Sequence, residues 1–216
     1  MSINIKPTNS TILLAFLSCL IPFTPEIGLS LLHGYTVRVI EHSQALLLLL
    51  GAMLTFSYMK PFQLTEGARK FWLWTVLWWV VLLGRSTSWG RDYFPDLPKA
   101  IFRSISVVLI AGLVFSFLLS SQLRKAIAVR LKTWRIPLWT CLLVVTLFLL
   151  ADTVEHHRLL SPIFLRDSNY QDLIEELFET PLIFGLLLIA LDFMRQDMRL
   201  GISKNTLLLG LNTTVS

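Results

Sequence analysis

Long apolar runs separated by short polar segments dominate the chain. Six stand out, at residues 11–32, 39–59, 71–89, 101–123, 136–154 and 173–194. Each approaches the roughly 20 residues needed to cross a hydrocarbon core, and none shows the period-two alternation of a barrel strand. The pattern predicts an all-α fold: an integral membrane helical bundle of about six transmembrane helices. The first run is irregular, because Pro22, Pro25 and Glu26 interrupt it and residues 11–21 are too short to cross alone. A retained, kinked helix is expected there, since Ile21-Pro22-Phe23-Thr24-Pro25 offers no small-residue cleavage site.

Composition agrees with the pattern. Hydrophobic residues make up 54% of the 216 and charged residues only 15%, a balance that leaves too little charge to cover a soluble domain of this size. One transmembrane domain is expected over residues 1–216, with a cytoplasmic tail from residue 196.

Charge orients the bundle. Lys60, Arg69 and Lys70 face a single acid, Glu66, in the loop after the second run. Arg124, Lys125, Arg130, Lys132 and Arg135 follow the fourth run with no acid among them, and the tail adds Arg195, Arg199 and Lys204. Short loops rich in Lys and Arg mark the cytoplasmic side, so both termini are expected inside, an N-in/C-in topology. Asp92, Asp96, Glu155, Asp167 and Asp172 fall on the opposite side, where Arg85, Arg91, Lys99 and Arg103 weaken the contrast. The basic loop has its own periodicity: Leu123, Ile127, Leu131 and Trp134 share a helical stripe, with the basic residues around the remaining circumference. That is either a topology-setting loop or an interfacial helix drawn to anionic headgroups. It calls for no nucleic-acid partner; the lipid bilayer is partner enough.

Ionisable groups at membrane-helix ends are costly unless paired, hydrated or bound to a cation, so they mark candidate sites. With the topology above, Glu41 opens the second run, Arg85 closes the third, Asp152 and His156 close the fifth, and Glu175, Glu176 and Glu179 open the sixth, all at one end. Asp152 and His156 are four apart and share a helical face, and the acids from Asp172 to Glu179 recur at three- and four-residue spacing. Carboxylates so crowded resist simultaneous ionisation. They call for Arg85, Arg91 or Arg103 as balancing cations, for a shared proton, or for a metal. The candidate metal ligands are Asp152, His156, Glu175, Glu179 and Glu41; imidazole and carboxylate donors suit zinc, iron or manganese. An arginine–carboxylate network that locks helix ends together explains the same residues without a ligand.

Other chemistry finds less support. His42, His156 and His157 are the histidines available to a haem, but no attachment motif and no mid-span histidine pair accompanies them. Five tryptophans gather at 72–89 and read as packing or interfacial groups. Cys19 and Cys141 are isolated in apolar runs, without a CxxC spacing.

The stretches Arg85-Ser86-Thr87-Ser88-Trp89-Gly90-Arg91 and Glu175-Glu176-Leu177-Phe178-Glu179 resemble motifs of small uncharacterised bacterial multi-spanning inner-membrane proteins, although an acid often follows the first arginine there and this chain has Ser86. The resemblance implies a bacterial inner membrane and no particular activity. Three functions follow from the residues: a binding or accessory role, for a metal, an anionic lipid headgroup or another membrane protein; a metal-dependent membrane hydrolase of lipid-like substrates, using Asp152, His156 and Glu179; and a small ion- or proton-coupled transporter.

Overall fold

A computed structural model describes residues 2–28, 31, 34–91, 93, 94, 96–156, 158, 161–165 and 167–201. Among them run eight α-helices: α1 (Asn9–Leu20), α2 (Tyr35–Met59), α3 (Glu66–Ser86), α4 (Lys99–Leu119), α5 (Ser121–Thr133), α6 (Leu138–Glu155), α7 (Ser161–Phe164) and α8 (Gln171–Leu200). Two three-residue strands, β1 (Ser2–Asn4) and β2 (Arg135–Pro137), pair with each other. Among the described residues, four segments are long and apolar enough to cross a membrane: Tyr35–Gln63, Lys99–Leu119, Leu138–Glu155 and Ser168–Leu200. Their outer faces are apolar and open, as at Val107, Val108, Leu142 and Val145, which is the surface a bilayer would cover.

The apolar runs become helices, but local chemistry moves their ends. Thr8 caps α1 by accepting from Thr11 N, and α1 stops at Leu20. Pro22 then sits in a single 3₁₀ turn at Ile21–Phe23, followed by turns up to Gly28 at φ 69°. The helix therefore does not carry on past both prolines as expected, because each proline lacks the N–H that would extend it. At 12 residues, α1 is about 18 Å long. Leu32, the expected end of that run, lies outside the described residues. The third run ends at Ser86 rather than Trp89, since Ser88, Trp89 and Gly90 all take positive φ. With 21 residues α3 is long enough to cross, but Glu66, Arg69, Lys70 and its four tryptophans make it less apolar than the four segments above. The fourth run ends at Leu119: Ser120 leaves the helix at φ −91°, ψ 101° and caps α5 by accepting from Leu123 N.

The chain packs as two compact units. The first comprises Met1–Ser2, Leu48–Arg135 and Ala190–Ser216. Its core joins Met59, Phe71, Trp72, Leu123, Trp134 and Met194. Trp134 stacks on Phe193 at 4.4 Å between ring centroids. The α3 tryptophans are used for packing: Trp79 donates to Thr55 Oγ1 at 3.0 Å and Trp74 to Leu113 O at 3.0 Å.

Within this core lies an ion pair that spacing arguments miss. Arg130 is 2% exposed and Asp197 0%. Arg130 Nη2 donates to Asp197 Oδ2 at 3.0 Å, and Trp72 Nε1 donates to the same oxygen at 2.7 Å. The guanidinium lies 4.3 Å from the Phe71 ring centroid, a cation–π geometry. The expected stripe on α5 accordingly divides: Leu123 and Trp134 are buried, Ile127 packs against the core, and Leu131 is 50% exposed. Arg130, assigned by periodicity to the polar circumference, is inside. Residues 196–200, anticipated as tail, continue α8 and carry Asp197 into the core.

The second unit comprises Ile3–Leu47 and Ile136–Ile189. Ile21, Leu147, Ala151, Val154, Ile174 and Phe178 form its core. Thr11 and Thr140 share a buried hydroxyl hydrogen bond of 2.8 Å that ties α1 to α6. At Gly185 a Cβ would come within 2.5 Å of Val144 Cγ2, so α8 approaches α6 closely there.

Candidate functional site

The polar groups of the second unit gather at the end of α6 and the first turns of α8. His156 closes α6, its backbone N–H reaching Asp152 O and Val154 O. Four-residue spacing stacks the His156 ring over Asp152, with Nδ1 3.5 Å from Asp152 Oδ1 and 3.6 Å from Glu155 Oε2. One ligand atom from each of Asp152, Glu155 and His156 can be chosen so that all lie within 4.8 Å of one another. A tetrahedral metal with bonds near 2.1 Å separates its ligands by roughly 3.4 Å, closer than the 4.8 Å limit within which these three atoms lie, so the side chains would have to draw together around a cation. Asp152 already has a cationic partner. Arg158 Nη2 lies 2.8 Å from Asp152 Oδ2 and 3.0 Å from Oδ1. The Asp152 side chain is 24% exposed, and the other three are more open still. The site is therefore wet, and its ion pair is of the weak surface type.

A second group assembles on α2 and α8. Gln44, 1% exposed, donates from Nε2 to Glu176 O at 2.8 Å and to Thr180 Oγ1 at 3.2 Å. Thr180 Oγ1 donates in turn to Glu176 O at 3.0 Å. Glu41 is three residues before Gln44, on the same face of α2. Its carboxylate acts electrostatically on that of Glu176, as do those of Glu175 and Glu179. All four glutamates are half-buried. Gln171 Nε2, at the start of α8, donates to Val154 O at 3.3 Å and Glu155 O at 3.1 Å. That bridge satisfies carbonyls at the end of α6 and fixes it beside the first turn of α8.

The expected ligands are thus divided. Asp152 and His156 come together, joined by Glu155, while Glu41, Glu175 and Glu179 lie near enough to Glu176 to act on its charge. Among the described residues, the only three-ligand group at metal-binding separation is Asp152, Glu155 and His156. Arg85, Arg91 and Arg103 are exposed residues of the first unit, on the last turn of α3, after the turn that follows it, and on the second turn of α4. The cation at Asp152 is Arg158, which the sequence reading did not single out because it lies beyond the end of α6. His42 is exposed and bonds through Nδ1 to Arg38 O at 2.6 Å. His157, Asp92 and Lys204 lie outside the described residues. Comparison with known protein families, curated proteins and solved structures finds no match to this chain.

Proposed function

We propose that the chain is a multi-pass protein of the bacterial inner membrane with a binding or accessory role, and that its ligand is a divalent metal such as zinc held at the outward end of α6. In this reading α2, α3, α4, α6 and α8 cross the bilayer, α1 completes a sixth span only together with the turns that follow it to Gly28, α5 lies on the cytoplasmic side, and both termini are inside. Lys and Arg after α2, after α4 and at the end of α8 support that orientation. The observation that carries the proposal is the His156 imidazole held 3.5–3.6 Å from carboxylate oxygens of Asp152 and Glu155. Metal binding would displace Arg158 from Asp152 and leave a coordination position for water or a further ligand. The glutamates on α2 and α8 raise the local concentration of cations. Arg85, Arg91 and Arg103, on the outer side by the charge of the loops, belong to the proposal as basic groups for anionic headgroups.

Elemental analysis of the detergent-purified chain tests this. Near-stoichiometric metal is expected, lost on Asp152→Ala and on His156→Ala. A metal-free protein that gains none on incubation with zinc would remove the proposal. A membrane hydrolase is the second reading, since three protein ligands would leave a bound metal a position for water or substrate; it predicts metal-dependent cleavage of a lipid-like ester or amide.

A further inference from the structure

A groove of about 550 Å³ lies between α3 and α4 where α5 begins, wholly within the first unit. Its walls are Leu73, Trp74, Leu77, Phe115 and Leu119, with Leu123 at its base. One end is polar. There Lys70 and the hydroxyl residues Ser116 and Ser120 line it. Lys70 Nζ is held 2.9 Å from Glu66 Oε1 and also donates to Gln122 Oε1, while Gln122 Nε2 donates to Glu66 Oε2 at 3.0 Å. Arg124 reaches back to the end of α4, donating from Nη1 to Phe117 O at 3.2 Å and to Leu118 O. Arg124 does not line the groove itself; it follows the lining residue Leu123 on α5, and its guanidinium carries further N–H donors in the same planar fork.

We propose that this groove binds an anionic phospholipid, one acyl chain lying along Leu73, Trp74, Leu77 and Phe115 and the phosphate meeting Lys70 and Arg124. The volume falls within the usual range for a small-molecule site, and an apolar body with a few polar groups at one end matches an amphiphile. Charge selects the headgroup. Lys70 is the charged residue that lines the groove, and the exposed Arg124 and Lys125 follow its lining residue Leu123 on α5, against the single acid Glu66, so the balance of charge favours a phosphate with net negative charge over a zwitterionic headgroup. Apolar surface alone would be satisfied by any lipid; the cations make the occupant specific. This site is independent of the metal proposed at α6, since it uses none of the same residues.

Native mass spectrometry of the full chain, titrated with phosphatidylglycerol or phosphatidylcholine of identical acyl chains, tests the proposal. Phosphatidylglycerol is expected to bind preferentially. Lys70→Gln and Arg124→Gln should each weaken it about 5-fold, the worth of one basic group at a membrane surface, and leave phosphatidylcholine binding unchanged. Ser116→Trp should fill the groove and abolish binding of both. If that variant fails to fold, phosphatidylglycerol with brominated acyl chains supplies the second readout: it should quench Trp74, and Trp74→Phe should remove that part of the quenching. Equal binding of the two lipids, or quenching unaltered by Trp74→Phe, overturns the proposal. Displacement of the lipid by an equal concentration of glycerol phosphate would also overturn it, by assigning the cations to a soluble phosphate.

Discussion

Replacing Asp197 with Leu should destabilise the protein by about 3–5 kcal/mol, the cost of stranding one member of a buried ion pair. Burial pushes the Arg130 guanidinium below its ordinary pKa, and Asp197 pulls it back up. Without Asp197 the burial penalty loses its counter-charge, and Trp72 Nε1 loses its acceptor. Arg130→Met should cost a similar amount, because Asp197, at 0% exposure, would lose the cation that balances its charge. The double substitution Arg130→Met with Asp197→Leu strands no charge and retains aliphatic volume beside Phe71 and Trp134. It should lie within about 2 kcal/mol of wild type, the residue being the unpaired Trp72 N–H. Equilibrium unfolding in mixed detergent micelles, followed by tryptophan fluorescence, gives the three values and hence the coupling energy. Singles costing under about 1 kcal/mol, or a double equal to their sum within about 0.5 kcal/mol, would refute the claim that α5 is locked to α8 by this pair.

Gln44→Leu removes two hydrogen bonds between α2 and α8 and should cost about 1–3 kcal/mol in the same unfolding assay; a smaller loss than Gln44→Ala would show that packing, not polarity, holds this contact. Gly185→Ala forces a Cβ to 2.5 Å from Val144 Cγ2 and should cost about 1–3 kcal/mol, with Val144→Ala in the same chain restoring most of it. Gly84→Ala meets the Trp89 ring at 2.5 Å and should displace that indole, seen as a shift in emission that Trp89→Phe abolishes. Glu66 is held below the ordinary carboxylate pKa of 4.5 by hydrogen bonds from Lys70 and Gln122. A depressed carboxylate stabilises the fold above its unfolded pKa and loses that contribution as pH falls through the folded one. Glu66→Gln should therefore lower the unfolding midpoint at pH 7 and leave it unchanged well below pH 4.5.

Hydropathy located the helices well, because a run of apolar side chains long enough to cross a bilayer has few other ways to satisfy its backbone. It located their ends poorly. Ser120 divides one apolar run into α4 and α5 through a capping bond that hydropathy does not register, and the positive φ values at Ser88, Trp89 and Gly90 end α3 inside a run of tryptophans. Part of the site was legible for a similar reason. Asp152 and His156 meet because four residues make one helical turn, whereas Arg158 reaches Asp152 only after the chain leaves the helix. Gln44 was visible beside Glu41, but its bonds to Glu176 and Thr180 depend on how α2 packs on α8. Arg130 marks the clearest limit. Its stripe position and its basic neighbours placed it in water, and the residue that draws it inside is Asp197, 67 positions along the chain.

The central claim is that the outward end of α6 holds a divalent cation through Asp152, Glu155 and His156. Calorimetric titration of zinc into the detergent-solubilised, metal-stripped chain tests it most directly. One saturable site is predicted, weakened at least 10-fold by His156→Ala and tightened by Arg158→Ala, which frees Asp152 from its competing cation. Heat that is absent, or a site indifferent to all three ligands and to Arg158, would contradict the account.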